Sequence, residues 1–95
     1  MFSDKTKEIL KTIYNFGDRK ITASDVASKL AVTLVSINYS LSLLENYTDE
    51  SNVKTPLISY YSGILKLPNE KKPVKFIQIT EAGKKIIEDD NNEEE

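Results

Sequence analysis

The sequence predicts a single α+β domain: three helices, then a β-hairpin, then a short closing helix. Three observations carry this. Apolar residues recur at helical spacing in three stretches before residue 46, two β-branched and aromatic runs flank a charged turn after residue 56, and one more short amphipathic stretch follows.

The first helix is expected from Ser3, a capping residue, through Ile9, Leu10, Ile13 and Phe16, with Phe2 just ahead of the cap. Gly17 stops it, because glycine accepts the left-handed dihedrals of a helix end.

The run TASDVASKLAVTLVSINYSLSLLE, Thr22 to Glu45, describes two helices joined by a tight turn. Thr22 and Asp25 form a capping box that starts a helix at about Ala23. Val26, Ala27 and Leu30 make its apolar stripe, and Val32 is expected to be the buried residue of the turn. Thr33 is the next cap. Ile37, Leu41 and Leu44 then repeat at i, i+4 and i+7, which lays one helix face on the preceding helix and leaves Leu34, Val35, Asn38, Tyr39 and Ser42 on the other. This is helix-turn-helix patterning, and it points toward DNA. A helical hairpin in a small bundle has the same local periodicity.

Residues 46–56 are polar and read as a loop. LISYYSGILKL and VKFIQIT read as strands around the turn PNEKKP, giving a hairpin. In ITEAGKKII, Thr80 caps a short helix that turns Ile86 and Ile87 inward, with Gly83 its weak point.

Composition narrows the function. With no cysteine and no histidine, the chain lacks thiolate nucleophiles, the usual zinc ligands and the side chain best suited to proton transfer near neutral pH. No carboxylate cluster stands at acid–base or metal spacing, so neither an enzyme nor a cofactor or metal site is expected. No apolar run reaches the roughly 18–20 residues of a membrane span, and MFSDKTKE is unlike a signal peptide, so a cytoplasmic protein is expected.

The net charge of −2 conceals an asymmetry. Residues 1–87 hold thirteen Lys and Arg against nine Asp and Glu, a net of +4, and the other six acids lie in residues 88–95. The expected division is therefore a mildly basic domain, 1–87, and an acidic disordered tail, 88–95. The tail reads as a solvated solubility segment, or more sharply as a competitor that covers the basic face until DNA displaces it.

The order helix, helix-turn-helix, hairpin, short helix resembles the winged-helix DNA-binding domains of prokaryotic (bacterial and archaeal) transcriptional regulators over nearly all of residues 3–87. ITEAGKKII is similar to the Leu-Thr-x-x-Gly-basic stretch after the wing of many of them. The resemblance implies an α+β winged helix-turn-helix fold with three helices, a β-hairpin wing and a short C-terminal helix. It also implies a recognition helix, residues 33–45, in the major groove, with Thr33, Leu34, Val35, Ser36, Asn38, Tyr39 and Ser42 facing double-stranded DNA. The wing would carry Lys66, Asn69, Lys71, Lys72 and Lys75 to the backbone, where ammonium groups neutralise phosphates without reading sequence. Lysines at a hairpin tip also simply keep an edge soluble. Lys5, Lys7, Lys11 and Lys29 extend the candidate basic footprint.

Two positions depart from that family. Ala31 stands where many members have glycine in the turn, implying either a positive φ at a cost on the order of 1 kcal/mol or a different turn. The recognition helix that the resemblance implies also has no Arg or Lys between Thr33 and Glu45.

The function expected from the resemblance is transcription regulation by a homodimer. Its contacts would come from the first and last helices through Phe2, Tyr14, Ile86 or Ile87, unless these complete a monomeric core. The rival reading is a winged-helix protein–protein interaction module in a larger assembly, using Leu34, Val35 and the Tyr60, Tyr61 pair, because grouped exposed apolar side chains usually meet a partner.

Overall fold

The computed structural model describes residues 3–68 and 70–93, with residues 65–67, 70–72 and 91–93 described through the backbone alone. Its elements are α1 (Asp4–Phe16), α2 (Ala23–Lys29), α3 (Leu34–Glu45), β1 (Ile58–Leu67), β2 (Glu70–Ile79) and α4 (Glu81–Glu93). The described residues are thus α+β, with four helices and a two-stranded antiparallel hairpin among them.

Local chemistry sets the helix starts. The Ser3 hydroxyl accepts from Thr6 N–H, and the Thr33 hydroxyl accepts from Ser36 N–H. The expected capping box at α2 is complete, with Thr22 N–H donating to Asp25 at 2.8 Å and Asp25 N–H donating to Thr22 Oγ1 at 3.2 Å. Gly17 ends α1 at φ 67°, its N–H returning to the Tyr14 carbonyl.

The α2–α3 turn is a Schellman closure with an alanine at its left-handed position. Ala31 has φ 57°, its N–H donates to Ser28 O, and Val32 N–H donates to Ala27 O at 3.0 Å. Val32 itself is 42% exposed, contrary to the expected buried turn residue. Only its backbone takes part in the closure, and the core below is already filled by Val26 and Ile37.

The loop after α3 is held by Asp49, whose carboxylate accepts from the N–H groups of Ser51 and Val53 and from the Thr55 hydroxyl. Leu57 N–H then donates to Leu44 O at 2.9 Å, fixing where β1 begins.

The hairpin register runs from Ile58 opposite Ile79 to Leu67 opposite Glu70. The ladder therefore includes Glu70–Pro73, which composition had suggested belonged to the turn. In a two-stranded sheet each strand is an edge, where Pro73 is tolerated. At the base, Ile77 N–H donates to Ile21 O at 2.8 Å, so the residue before the α2 cap adds a one-residue bridge to β2.

One core joins these parts. Ile9, Leu10 and Ile13 of α1 meet Val26 and Ala27 of α2, Ile37, Leu41 and Leu44 of α3, Leu57, Ile58 and Ile77 of the hairpin base, and Ile87 of α4. Tyr14 and Ile86 pack against it, so three of the four candidate dimer residues serve the protomer's own core. Phe2 lies outside the described residues.

The closing helix is longer than expected. Thr80 Oγ1 accepts from Gly83 N–H and donates to Pro56 O, capping α4 as anticipated. The helix then continues to Glu93, so residues 88–93 extend it where an acidic tail was expected to begin at 88. A long-range ion pair, Lys7 Nζ to Asp90 at 3.2 Å, ties this extension to α1. Among the described residues no single helix is long and apolar enough to cross a membrane.

Candidate nucleic-acid interface

α3 has two distinct sides. Ile37, Ser40, Leu41 and Leu44 are buried against the core. Leu34 (39% exposed), Val35 (81%) and Tyr39 (74%) face solvent, as do Asn38 and Ser42. These five sequence-predicted residues are brought together on the outward side. The chain direction turns by 117° between α2 and α3.

Thr33 and Ser36 are occupied differently. The Thr33 hydroxyl accepts the cap hydrogen bond, and the half-buried Ser36 turns its own hydroxyl back to Thr33 O at 2.7 Å. Both therefore organise the first turn of α3. Ser42 also anchors the end of the helix, where Asn46 Nδ2 donates to its carbonyl at 3.0 Å. Asn38 makes no hydrogen bond through its amide among the described residues.

Two more residues join this surface: Leu43, absent from the sequence-predicted set, and Lys5, one of the lysines expected to extend the basic footprint. Leu43 is 40% exposed and continues Val35 and Tyr39 at i, i+4 and i+8, a signal visible in the sequence. Lys5, one of four lysines thought to widen the basic footprint, donates from Nζ to Ser36 O at 2.7 Å and so puts a cation at the start of α3. Between them runs an open groove of about 450 Å³ lined by Lys5, Ser36, Tyr39, Ser40, Leu43 and Tyr47. Lys7 is paired with Asp90, while Lys29 lies in the last turn of α2 and complements that helix end.

The hairpin places its lysines by register. Lys66 stands directly opposite Lys71, Lys72 opposite Leu65, and Lys75 opposite Ser62, with Lys75 exposed. Asn69 lies outside the described residues.

The Tyr60, Tyr61 pair does not form one patch, since neighbours along a strand point to opposite faces. Tyr60 packs against the core, where burial, and secondarily the Glu45 carboxylate, push its phenol pKa up. Tyr61 lies against Phe76, ring centroids 5.5 Å apart.

No family model, no curated protein and no solved structure matches the chain.

Proposed function

We propose that the chain is a small DNA-binding protein of winged-helix type, a transcriptional regulator working in the cytoplasm as a homodimer and without enzymatic activity. α3 enters the major groove and the lysine-bearing hairpin, as wing, lies along the sugar–phosphate backbone. The observation that carries this reading is the bare outer side of α3, set at 117° to α2, within the roughly 90–120° of helix-turn-helix units. The register supports it, because Lys66, Lys71 and Lys72 fall on the far half of the hairpin and Lys75 at its middle, where a wing would meet phosphates. In a dimer the two α3 helices would address half-sites about 34 Å apart.

The test is fluorescence anisotropy of a labelled mixed-sequence duplex titrated with the full chain across a salt series. Micromolar or tighter binding that weakens steeply with salt supports phosphate neutralisation by the wing. No binding at low salt overturns the reading.

A second reading, a protein-interaction module, is favoured by one observation: Val35, Tyr39 and Leu43 form an exposed row on a helix side without charge. Binding to a protein partner with a flat salt dependence, and none to DNA, would establish it.

A further inference from the structure

The outer side of α3 presents donors, acceptors and apolar groups in an order that suits one kind of base pair. Resting on the DNA-binding reading, we infer that α3 selects A·T-rich duplex DNA over G·C-rich duplex DNA, with Asn38 as the adenine reader and Leu34 and Val35 as the thymine-methyl contacts.

Two rows run along the helix. Leu34, Asn38 and Ser42 form one at i, i+4 and i+8, and Val35, Tyr39 and Leu43 form the other, all six exposed. Eight residues of helix advance about 12 Å, the length of three to four base-pair steps of about 3.4 Å. The rows thus match a short run of base edges.

In the major groove adenine offers N7 and N6–H₂, which an Asn amide pairs with through both of its ends. Asn38 is at the middle of its row, and among the described residues its amide makes no hydrogen bond that must first be released. Thymine offers a C5-methyl group, which apolar side chains contact. Leu34 and Val35 stand one turn before Asn38, and Val35 is the most exposed of the large apolar residues at 81%.

The G·C pair finds no charged or bidentate reader. Guanine is read through O6 and N7 by Arg or Lys, and α3 contains neither. Lys5, which reaches α3 from α1, is held on the Ser36 carbonyl. Cytosine is read by a carboxylate accepting from N4. Glu45, the one acidic residue of α3, stands in its last position near Tyr60, beyond both rows. Discrimination therefore comes from the base edges at α3, while the hairpin lysines contribute affinity without sequence.

The test compares full-length protein on two duplexes of equal length, one A·T-rich and one G·C-rich, at a single salt concentration. Two further probes are the A·T duplex with 7-deazaadenine, which removes the N7 acceptor, and with uracil for thymine, which removes the methyl group. The A·T duplex should bind roughly 5- to 150-fold more tightly, the range for one good bidentate contact, and each analogue should take back part of that margin. Asn38→Ala, an exposed change checked for an unaltered circular dichroism spectrum, should weaken A·T binding more than G·C binding and so reduce the preference. Equal, salt-sensitive binding to both duplexes overturns the inference and leaves the DNA-binding reading standing. Absence of binding to either duplex at low salt overturns both.

Discussion

The Thr6 hydroxyl donates to the Ser40 hydroxyl at 2.9 Å inside the interface of α1 and α3, where the two residues are 2% and 5% exposed. Thr6 Oγ1 is in turn within 3.1 Å of the Ser3 hydroxyl, which donates to it, so the cap of α1 and the middle of α3 belong to one chain of hydroxyls. Ser40→Ala strands the Thr6 donor and should cost about 1–3 kcal/mol, whereas Thr6→Val with Ser40→Ala should recover part of that loss. Urea unfolding of the two single variants and the double variant reads the coupling. Strictly additive losses would mean that the two hydroxyls act independently.

Gly83 should resist the substitution that usually strengthens a helix. In an open helix Gly→Ala gains up to about 1 kcal/mol. Here a Cβ would run into the Leu57 carbonyl oxygen and come within 2.7 Å of Ile79 Cγ1. Gly83→Ala should therefore lose about 1–3 kcal/mol through overpacking, seen as a lower midpoint in urea. A higher midpoint would show that α4 does not rest so closely on the start of β1.

Asp49 should titrate below the ordinary carboxylate range. The Val53 N–H is the largest cause, opposed by some desolvation and aided by Ser51 N–H and the Thr55 hydroxyl. A folded-state pKa below the unfolded one means that the stabilising contribution is present above the unfolded value and disappears as pH falls through the folded value. Carboxyl-carbon NMR should find Asp49 still ionised while ordinary carboxylates protonate, with amide exchange at Ser51 and Val53 accelerating only at the acid end. Titration in step with the exposed acids would exclude the turn geometry.

Lys71 should contribute to duplex binding as a phosphate contact of the wing. Lys71→Ala should weaken binding about uniformly across sequences and reduce the salt slope by about one. Anisotropy of a labelled duplex across a salt series reads both. Weaker binding with an unchanged slope would place this lysine away from phosphate.

Much of this fold is written in near-neighbour chemistry. Ser3, Thr22 with Asp25, Thr33 and Thr80 each mark a helix start within three residues of what they bond, so a linear reading finds them. Long-range partners are harder to read. The acids at 88–90 look like a solvated run until Lys7 is brought to Asp90 by the packing of α4 on α1. Glu70 to Pro73 look like turn residues because charge and proline resemble punctuation, and only strand pairing shows them in the ladder. Val32 was placed inside because periodicity cannot tell which way a side chain leaves a turn whose backbone does the bonding. At the α3 surface, spacing found the outward residues but not the inward rotation of the Ser36 hydroxyl, which depends on a single side-chain torsion.

The bridge from Ile77 to Ile21 has a mechanical consequence. Ile21 is the residue immediately before the Thr22 cap, and both isoleucines are buried, so the root of the hairpin and the first turn of α2 are clamped to each other. The hairpin is a lever with its fulcrum at the helical body. The bond from Leu57 N–H to Leu44 O fastens the same root to α3, so the base of the hairpin is moored to both helices of the Thr22–Glu45 unit at once.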